Sequence, residues 1–276
     1  MQAVFLIFLF VLGACLGSFL CCQARRLHLR EKERGNRAHP KAKRTKLPSR
    51  SVCLHCKKPL KWYDNLPIIS WLALRGHCRY CHQKIGLAEF LSELGTGAAF
   101  LALGTTVNLD TASPLDWPIL LTTLLLTLPL IFCAIYDGLY GELPTAFLFL
   151  ALALALLLLA FKTASTIITT GFAPELIWQP VLAVLILAGT YLALYLVSKG
   201  KWVGDGDWLL ALALAVALGQ AWLALLTLFL ANFLACLFSL KSFQNPKKAP
   251  KIHLGPFLIT AFVIVLTFAN FFQSML

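Results

Sequence analysis

Long apolar runs constrain this chain more than any other feature. An apolar stretch of about 18 residues or more can cross roughly 30 Å of hydrocarbon as a helix. Stretches near this length cover residues 3–23, 87–105, 118–136, 145–161, 178–198 and 254–274. A further region, 208–240, is too long for one span, and Gly219-Gln220 divides it into a short helix and a returning one. The pattern predicts an all-α polytopic membrane protein with about eight transmembrane helices.

The composition excludes a chain built mainly of soluble domains, because 59% of the residues are hydrophobic and the mean hydropathy is +0.78. A net charge of +12 would suit nucleic acid, but 17 of the 24 Lys and Arg residues lie between Arg25 and Lys84. No nucleic-acid-reading motif accompanies them. Clustering of cations between spans is instead the pattern of the positive-inside rule. We therefore expect a lipid bilayer, and no nucleic acid, as a partner.

The same asymmetry predicts the orientation of the helices. With eight spans, every Lys and Arg except Lys162 falls in loops on one side of the membrane. The positive-inside rule makes that side the cytoplasm and leaves the N-terminus outside. The basic region 24–86 then becomes a cytoplasmic insert between the first two helices.

Four cysteines in this insert form two CxxC pairs. Cys53 and Cys56 are followed, after 21 intervening residues, by Cys78 and Cys81. Four thiolates at such spacing can converge tetrahedrally on one Zn²⁺, and a closed four-thiolate site has a structural role. Two disulfides are the alternative, although thiols in the cytoplasm stay reduced. The spacing predicts a zinc-ribbon-like insert.

Glu93 lies near the start of the second predicted span. A carboxylate at membrane depth is costly unless it is paired or faces a cavity, so it is a candidate functional residue. A hydrogen bond to a neighbouring helix is the alternative role, and the residues alone leave both open.

Two aspartates stand where apolar runs meet water. Asp137 follows the third span, and Asp207 ends the motif Gly204-Asp205-Gly206-Asp207 just after the fifth span. The predicted orientation puts both acids on the cytoplasmic side at similar depth. Two neighbouring carboxylates cannot both ionise cheaply, so they share a proton, and one can activate water while the other polarises a carbonyl. The glycines Gly204 and Gly206 allow a sharp turn and a close backbone approach.

Other roles for the two acids follow from the same residues. Each aspartate alone would suit a helix N-cap, and Asp205 and Glu142 are further acids nearby. An ion-coupled transporter could use Asp137 and Asp207 as relay sites, but it would favour acids nearer the span centres. A noncatalytic membrane scaffold of a secretion system, with the insert holding a partner, is a third reading. The paired motif favours a membrane aspartyl peptidase.

These motifs resemble the bacterial type IV prepilin peptidase family, whose members are GxGD-type aspartyl proteases and N-methyltransferases. The resemblance covers nearly the whole chain. It rests on Gly17-Ser18-Phe19, the stretch from Cys53 to Cys81, Ser92–Gly97, Asp137 with Leu143-Pro144, Gly204–Asp207 and Lys251–Phe257. The chain departs from the family pattern at Thr145, at Leu209 and at Leu20-Cys21-Cys22.

The resemblance implies a function for each part. Residues 1–23 would be the first transmembrane helix, 24–86 the cytoplasmic zinc-binding domain and 87–276 the transmembrane peptidase domain. Asp137 and Asp207 would be catalytic, and Glu93 is the methyltransferase candidate. The enzyme would remove the short cytoplasmic leader of type 4 prepilins and pseudopilins. It would then methylate the new N-terminus with S-adenosylmethionine.

The family also implies a location and partners. The protein would lie in the bacterial inner membrane with a periplasmic N-terminus and a cytoplasmic active site. Its clients would belong to the pilus or type II secretion machinery.

Overall fold

The structure is a computed structural model that describes residues 1–36, 52–53, 55–107, 109, 113–243 and 253–269. Its helices are α1 (Gln2–Asn36), α2 (Ile69–Ala73), α3 (Leu87–Gly104), α4 (Asp116–Tyr140), α5 (Thr145–Thr170), α6 (Glu175–Ser198), α7 (Asp205–Leu218), α8 (Ala221–Phe243) and α9 (Gly255–Thr267), with a 3-10 turn at Trp62–Asn65. Among the described residues no β-strand occurs, only two isolated β-bridges. The predicted all-α class is confirmed.

Six of these helices, α1, α3, α4, α5, α6 and α8, are long and apolar enough to cross a membrane. The other two predicted spans correspond to α7, with 14 residues, and α9, with 13. At 1.5 Å per residue, α7 is about 21 Å long, which is shorter than the hydrocarbon core. Large apolar side chains such as Phe8, Phe149 and Phe229 are exposed, as suits contact with lipid.

Contacts divide the chain into two compact units, and the first covers Val4–Leu101. Inside it, α1 and α3 approach closely at Gly13 and Gly17, because a Cβ atom at either position would collide with the backbone or side chains of α3. The first span was predicted to end at residue 23, but α1 continues to Asn36. Good helix formers such as Ala, Arg, Leu, Lys and Glu dominate the added turns, and neither Gly nor Pro interrupts them before residue 35.

The second unit, Met1–Ala3 with Ala102–Leu276, is organised around α7. Nearly every residue of α7 from Leu209 to Leu218 is buried, as expected for a helix that is apolar on all sides. It packs against α5, α6 and α9, while α9 also packs against α4 and α8. Because α9 contacts both α4 and α7, it joins the two helices that carry the predicted acids. The predicted domain boundaries at residues 23 and 86 stay a prediction.

Two helix ends differ from the prediction. The third span was predicted to end at residue 136, but α4 continues to Tyr140, so Asp137 is inside the helix. The fourth span was predicted to end at residue 161, but α5 continues to Thr170. In its last turns, threonine hydroxyls donate to carbonyls four residues earlier, for example Thr170 to Thr166 at 2.9 Å. These hydrogen bonds satisfy the threonine hydroxyl groups within the helix. The threonine-rich sequence did not indicate that the helix would continue here.

Candidate active site and metal centre

Asp137 lies in the last turn of α4 and is 5% exposed. The helix ends at Gly141, which has a φ of +73° and donates its N–H to the Asp137 carbonyl at 2.8 Å. A left-handed residue at this position is the usual helix C-cap, and glycine adopts it without strain. Asp137 was a possible N-cap, and that alternative is wrong because the residue lies at the opposite end of its helix.

Both carboxylate oxygens of Asp137 contact the start of α9. The Gly255 N–H donates to Oδ2 at 3.1 Å, and His253 Nδ1 lies 3.3 Å from Oδ1. A Cβ atom on Gly255 would lie 2.7 Å from Oδ2, so the glycine permits the approach. The first N–H groups of a helix favour a negative charge. The carboxylate is therefore held by donors from another helix.

Asp207 lies in the first turn of α7. Its Oδ2 accepts the Gly204 N–H at 3.0 Å, so the carboxylate closes the helix start from the third helical position rather than from the N-cap itself. Gly206 contacts the segment that follows Asp137, because a Cβ atom there would lie 2.7 Å from the Leu143 Cβ atom. The two predicted motifs therefore pack directly against each other.

The charged groups at the end of α4 and the start of α7 interact electrostatically. Burial raises the pKa of Asp207 to about 6, which the Gly204 N–H opposes and the negative charges of Asp137 and Asp205 reinforce. His253 acts in the opposite direction. Asp207 lies outside the six long apolar helices. The two predicted acids are thus close enough for one to change the proton affinity of the other, although about seventy residues separate them.

The neighbouring acids have different surroundings. Asp205 and Glu142 are both exposed to solvent, whereas Asp137 is buried and Asp207 is partly buried. Burial therefore distinguishes Asp137 and Asp207 from these two exposed acids.

Glu93 belongs to the other unit. It lies in the second turn of α3, is 8% exposed and accepts the Ile68 N–H on Oε2 at 2.7 Å. Ile68 has a φ of +64°, a strained value for a β-branched residue. A backbone N–H of the insert therefore donates the hydrogen bond that the buried Glu93 carboxylate needs. The alternative role predicted from the sequence was a hydrogen bond to a neighbouring helix.

The four cysteines of the insert converge. Their sulfur atoms all lie within 4.8 Å of one another, and Cys53 Sγ lies 3.8 Å from Cys81 Sγ. A tetrahedral zinc site with Zn–S bonds of about 2.3 Å has sulfur–sulfur edges of about 3.8 Å. All nine cysteines are free thiols, so the disulfide alternative finds no support. The donor set fits one tetrahedral metal ion with soft ligands.

The two CxxC pairs have the same local structure. Cys53 accepts the N–H of Lys57 and donates its own to Lys58, and Cys78 has the equivalent bonds with His82 and Gln83. Lys57 and His82 have φ values of +56° and +54°, and a β-bridge joins the residues on either side of each pair. Two identical turns that aim four thiols at one point are the arrangement of a zinc ribbon.

Sequence reasoning missed two polar residues at these sites. In the sequence, His253 was singled out only as part of the segment Lys251–Phe257 that resembles the family, yet its ring contacts Asp137. Asp64 has a side chain that is 3% exposed and accepts Arg79 Nε at 2.8 Å. A signal existed for His253, since an ionisable residue immediately before an apolar helix is a candidate functional group.

Comparisons with known proteins follow these sites along the chain. A family model described as the bacterial peptidase A24 N-terminal domain matches residues 11–107, which include the four-cysteine cluster and Glu93. A Klebsiella pneumoniae protein named prepilin leader peptidase/N-methyltransferase is 33% identical over 228 residues, or 82% of this chain and 90% of that protein. One from Aeromonas hydrophila with the same name is 31% identical over 80% of this chain and 72% of its own length.

Other matches are partial. A Myxococcus xanthus protein of this name is 40% identical over 99 residues, which is 36% of this chain and only 26% of that protein. Several further relatives of the same name are matched over 18% to 52% of their own length. No solved structure matches the chain.

Proposed function

The chain belongs to the prepilin leader peptidase/N-methyltransferase family, and from this premise we propose that it is a membrane-embedded aspartyl endopeptidase. Its substrates would be type 4 prepilins and pseudopilins, from which it removes the short cytoplasmic leader. Its clients would be assembled by the pilus or type II secretion machinery.

Asp137 and Asp207 are the proposed catalytic residues. One carboxylate accepts a proton from water as the water oxygen bonds to the scissile carbonyl carbon, and the other donates its proton to the carbonyl oxygen. In the second step the protonated first acid gives its proton to the leaving nitrogen while the second recovers its own from a hydroxyl. The C–N bond breaks, and a carboxylic acid and an amine leave.

The observation that supports this chemistry is the electrostatic coupling of the two acids. Burial together with the charge of Asp137 raises the pKa of Asp207 to about 6, in the range where one proton can be held by the pair. A transporter would favour acids near span centres, whereas Asp137 lies in the last turn of α4 and Asp207 in the first turn of α7. No observation favours a noncatalytic scaffold.

The charge distribution supports a location for the reaction. The chain would lie in the bacterial inner membrane with its N-terminus in the periplasm. Lys199 and Lys201 precede α7, so the positive-inside rule assigns the Asp207 end of that helix to the cytoplasm. A basic prepilin leader would approach the acids from that side.

Methylation of the new N-terminus is the second proposed activity, with Glu93 as its candidate residue. In the same unit a groove of about 300 Å³ runs beside α1 and is lined by Phe19, Gln23, Arg26 and Asn65. The donor set suits S-adenosylmethionine: Arg26 would hold its carboxylate, the two amides its hydroxyl groups, and Phe19 its adenine ring. The bound compound would supply the methyl group.

We assign Zn²⁺ to Cys53, Cys56, Cys78 and Cys81, and its role would be structural. Four thiolates complete the tetrahedral shell and leave no position for a substrate. The ion would hold the two turns together in an insert whose described residues include few other buried ones.

One experiment tests both activities. Purified protein in detergent is incubated with a synthetic prepilin, with and without S-adenosylmethionine, and the product masses are measured. We expect leader release in both reactions and one added methyl group only when the methyl donor is present. An intact prepilin, or cleavage that survives Asp137→Asn or Asp207→Asn, would falsify the peptidase assignment.

A further inference from the structure

His253 is the one imidazole that the described part of the structure brings to the acid pair. It comes just before α9, and its Nδ1 atom lies 3.3 Å from Asp137 Oδ1. Because a carboxylate offers only acceptors, the ring nitrogen that faces it carries the proton. The side chain is 31% exposed, compared with 7% for Asp137, so the imidazole connects the buried acid with solvent.

The backbone around His253 is shaped to admit its ring. Gly141, which ends α4, has a φ of +73°, and a Cβ atom there would lie 2.7 Å from His253 Cε1. A side chain at position 141 would therefore push the imidazole away from Asp137. On the other carboxylate oxygen, the Gly255 N–H donates at 3.1 Å. The ring and the helix start thus engage both oxygens of one acid.

The two acids are consequently unequal. Donors on both oxygens of Asp137 stabilise its charged form, whereas Asp207 receives one described backbone bond, from Gly204, and faces the negative charges of Asp137 and Asp205. Burial raises the pKa of Asp207, and His253 moderates that rise. The shared proton therefore resides on Asp207.

We propose that His253 is a positioning residue that keeps Asp137 ionised, so that Asp137 acts as the general base and Asp207 as the general acid. This inference rests on the proposed peptidase function. In the first step Asp137 takes the water proton and Asp207 protonates the carbonyl oxygen. In the second, Asp137 protonates the leaving nitrogen and Asp207 recovers its proton. His253 exchanges no proton with the substrate.

The test is the pH profile of kcat and KM for synthetic prepilin cleavage by the full chain. In His253→Ala, Asp137 loses a donor, so the acid limb moves to higher pH. Asp207 loses the imidazole that lowers its pKa, so the alkaline limb also moves to higher pH. We expect shifts of roughly half to one pH unit, which reduce kcat about threefold to tenfold on the acid limb. KM stays near the wild-type value.

Two further variants and one control keep the test decisive. His253→Gln retains a neutral amide donor and should restore the acid limb more than the alkaline one. Gly141→Ala should displace the ring and reproduce the shifts of His253→Ala. It therefore provides the test if His253→Ala itself folds poorly. Glu142→Gln removes an exposed charge with no described contact to Asp137, and both limbs should stay at their wild-type positions.

The outcomes separate this inference from the function on which it depends. If the wild-type protein does not cleave prepilin, or if the Asp137 and Asp207 variants remain active, the peptidase assignment fails. If those controls behave as expected but His253→Ala loses rate equally at every pH, His253 is only structural. A profile with unmoved limbs in both His253→Ala and Gly141→Ala overturns the positioning role.

Discussion

At the scale of single residues, the surroundings of Asp207 support the acid role proposed for it. Burial raises its pKa to about 6, and the neighbouring charges of Asp137 and Asp205 add to this effect. A carboxyl group with a pKa raised in this way retains its proton at mildly acidic pH and can donate it to a carbonyl oxygen. Asp205, two residues earlier, is exposed and contributes only through its charge.

The raised pKa predicts a pH dependence. Asp207 must be protonated to act as the acid, so cleavage should fall as the pH rises through about 6. Asp207→Asn should abolish cleavage, with a loss of at least roughly a thousandfold in kcat. The measurement is kcat for prepilin cleavage in detergent between acidic and alkaline pH. Full activity of Asp207→Asn would contradict the prediction.

Asp205→Asn is the matched control for Asp207→Asn, since it removes a neighbouring charge in the same way. Its carboxylate raises the pKa of Asp207, so its removal should move the alkaline limb to lower pH by less than roughly one unit. The rate on the acidic plateau should change little. Loss of all cleavage would indicate that Asp205 is itself the acid.

At the scale of helices, the start of α7 depends on the absence of a side chain at position 206. Gly206 is buried, and a Cβ atom there would lie 2.7 Å from the Leu143 Cβ atom, which a backbone shift alone could relieve. Such a shift would move Asp207, one residue further along the helix, relative to Asp137. Helix propensity opposes this glycine, since alanine is better in a helix by about 1 kcal/mol.

Gly206→Ala should therefore reduce kcat for cleavage by roughly tenfold or more, because the reacting acids lose their alignment. Adding Leu143→Ala removes the colliding atoms beyond Cβ and should recover part of the rate. Gly138→Ala is the control, since its Cβ atom would meet only Pro256 Cγ at 4.0 Å. The idea is rejected if both glycine variants behave alike.

The other end of α7 is held by a cation. Lys162 Nζ on α5 donates to the Ala217 carbonyl at 2.8 Å, in the last turn of α7 before Gly219. A positive charge at a helix C-terminus satisfies a free carbonyl and the helix dipole together. This explains the one basic residue that the charge asymmetry left on the opposite side.

Lys162→Met should leave that carbonyl without its partner and lower the free energy of unfolding by about 1–2 kcal/mol. The measurement is the thermal unfolding midpoint in detergent. Lys201→Met, at an exposed loop position, serves as the control and should leave the midpoint unchanged. Equal midpoints for the two variants would show that the contact contributes nothing.

At the scale of the whole molecule, a chain of contacts links the four-cysteine cluster to Glu93. Arg79 and Tyr80 lie between Cys78 and Cys81, and both donate to the Asp64 carboxylate, at 2.8 and 3.5 Å. Ser70 Oγ donates to the Asp64 carbonyl at 2.6 Å, close to Ile68, whose N–H holds Glu93. Metal binding would therefore stabilise the segment that positions the buried acid.

Metal removal should consequently affect methyl transfer more than cleavage, because Asp137 and Asp207 belong to the other compact unit. We expect about one zinc per chain, and its loss in Cys78→Ser, with methylation reduced by roughly tenfold or more and cleavage much less affected. Elemental analysis and product mass report the two effects.

Asp64→Asn tests the same chain of contacts while keeping all four thiols. It should retain zinc but lose methyl transfer, whereas Cys236→Ser, at an exposed cysteine outside the cluster, should change neither. Parallel loss of cleavage and methylation in Asp64→Asn would contradict this selectivity.

Local sequence patterns were sufficient to predict much of the structure of this protein. Helix type and number follow from apolar runs, and the break between α7 and α8 follows from Gly219-Gln220. The four-cysteine cluster follows from two CxxC pairs, because thiol spacing restricts which sulfurs can meet. The interpretation of Asp137 and Asp207 as a pair also came from motifs at apolar boundaries.

Contacts between distant segments required the tertiary structure. No local pattern predicts that Gly206 packs on Leu143 or that the His253 ring lies against Gly141 and Asp137. Nor does any local pattern predict that Lys162 donates to a carbonyl in the last turn of α7. The apolar periodicity of a membrane helix marks burial but not its neighbour, since lipid and protein interiors favour the same side chains. Helix packing therefore decided which donors surround each acid.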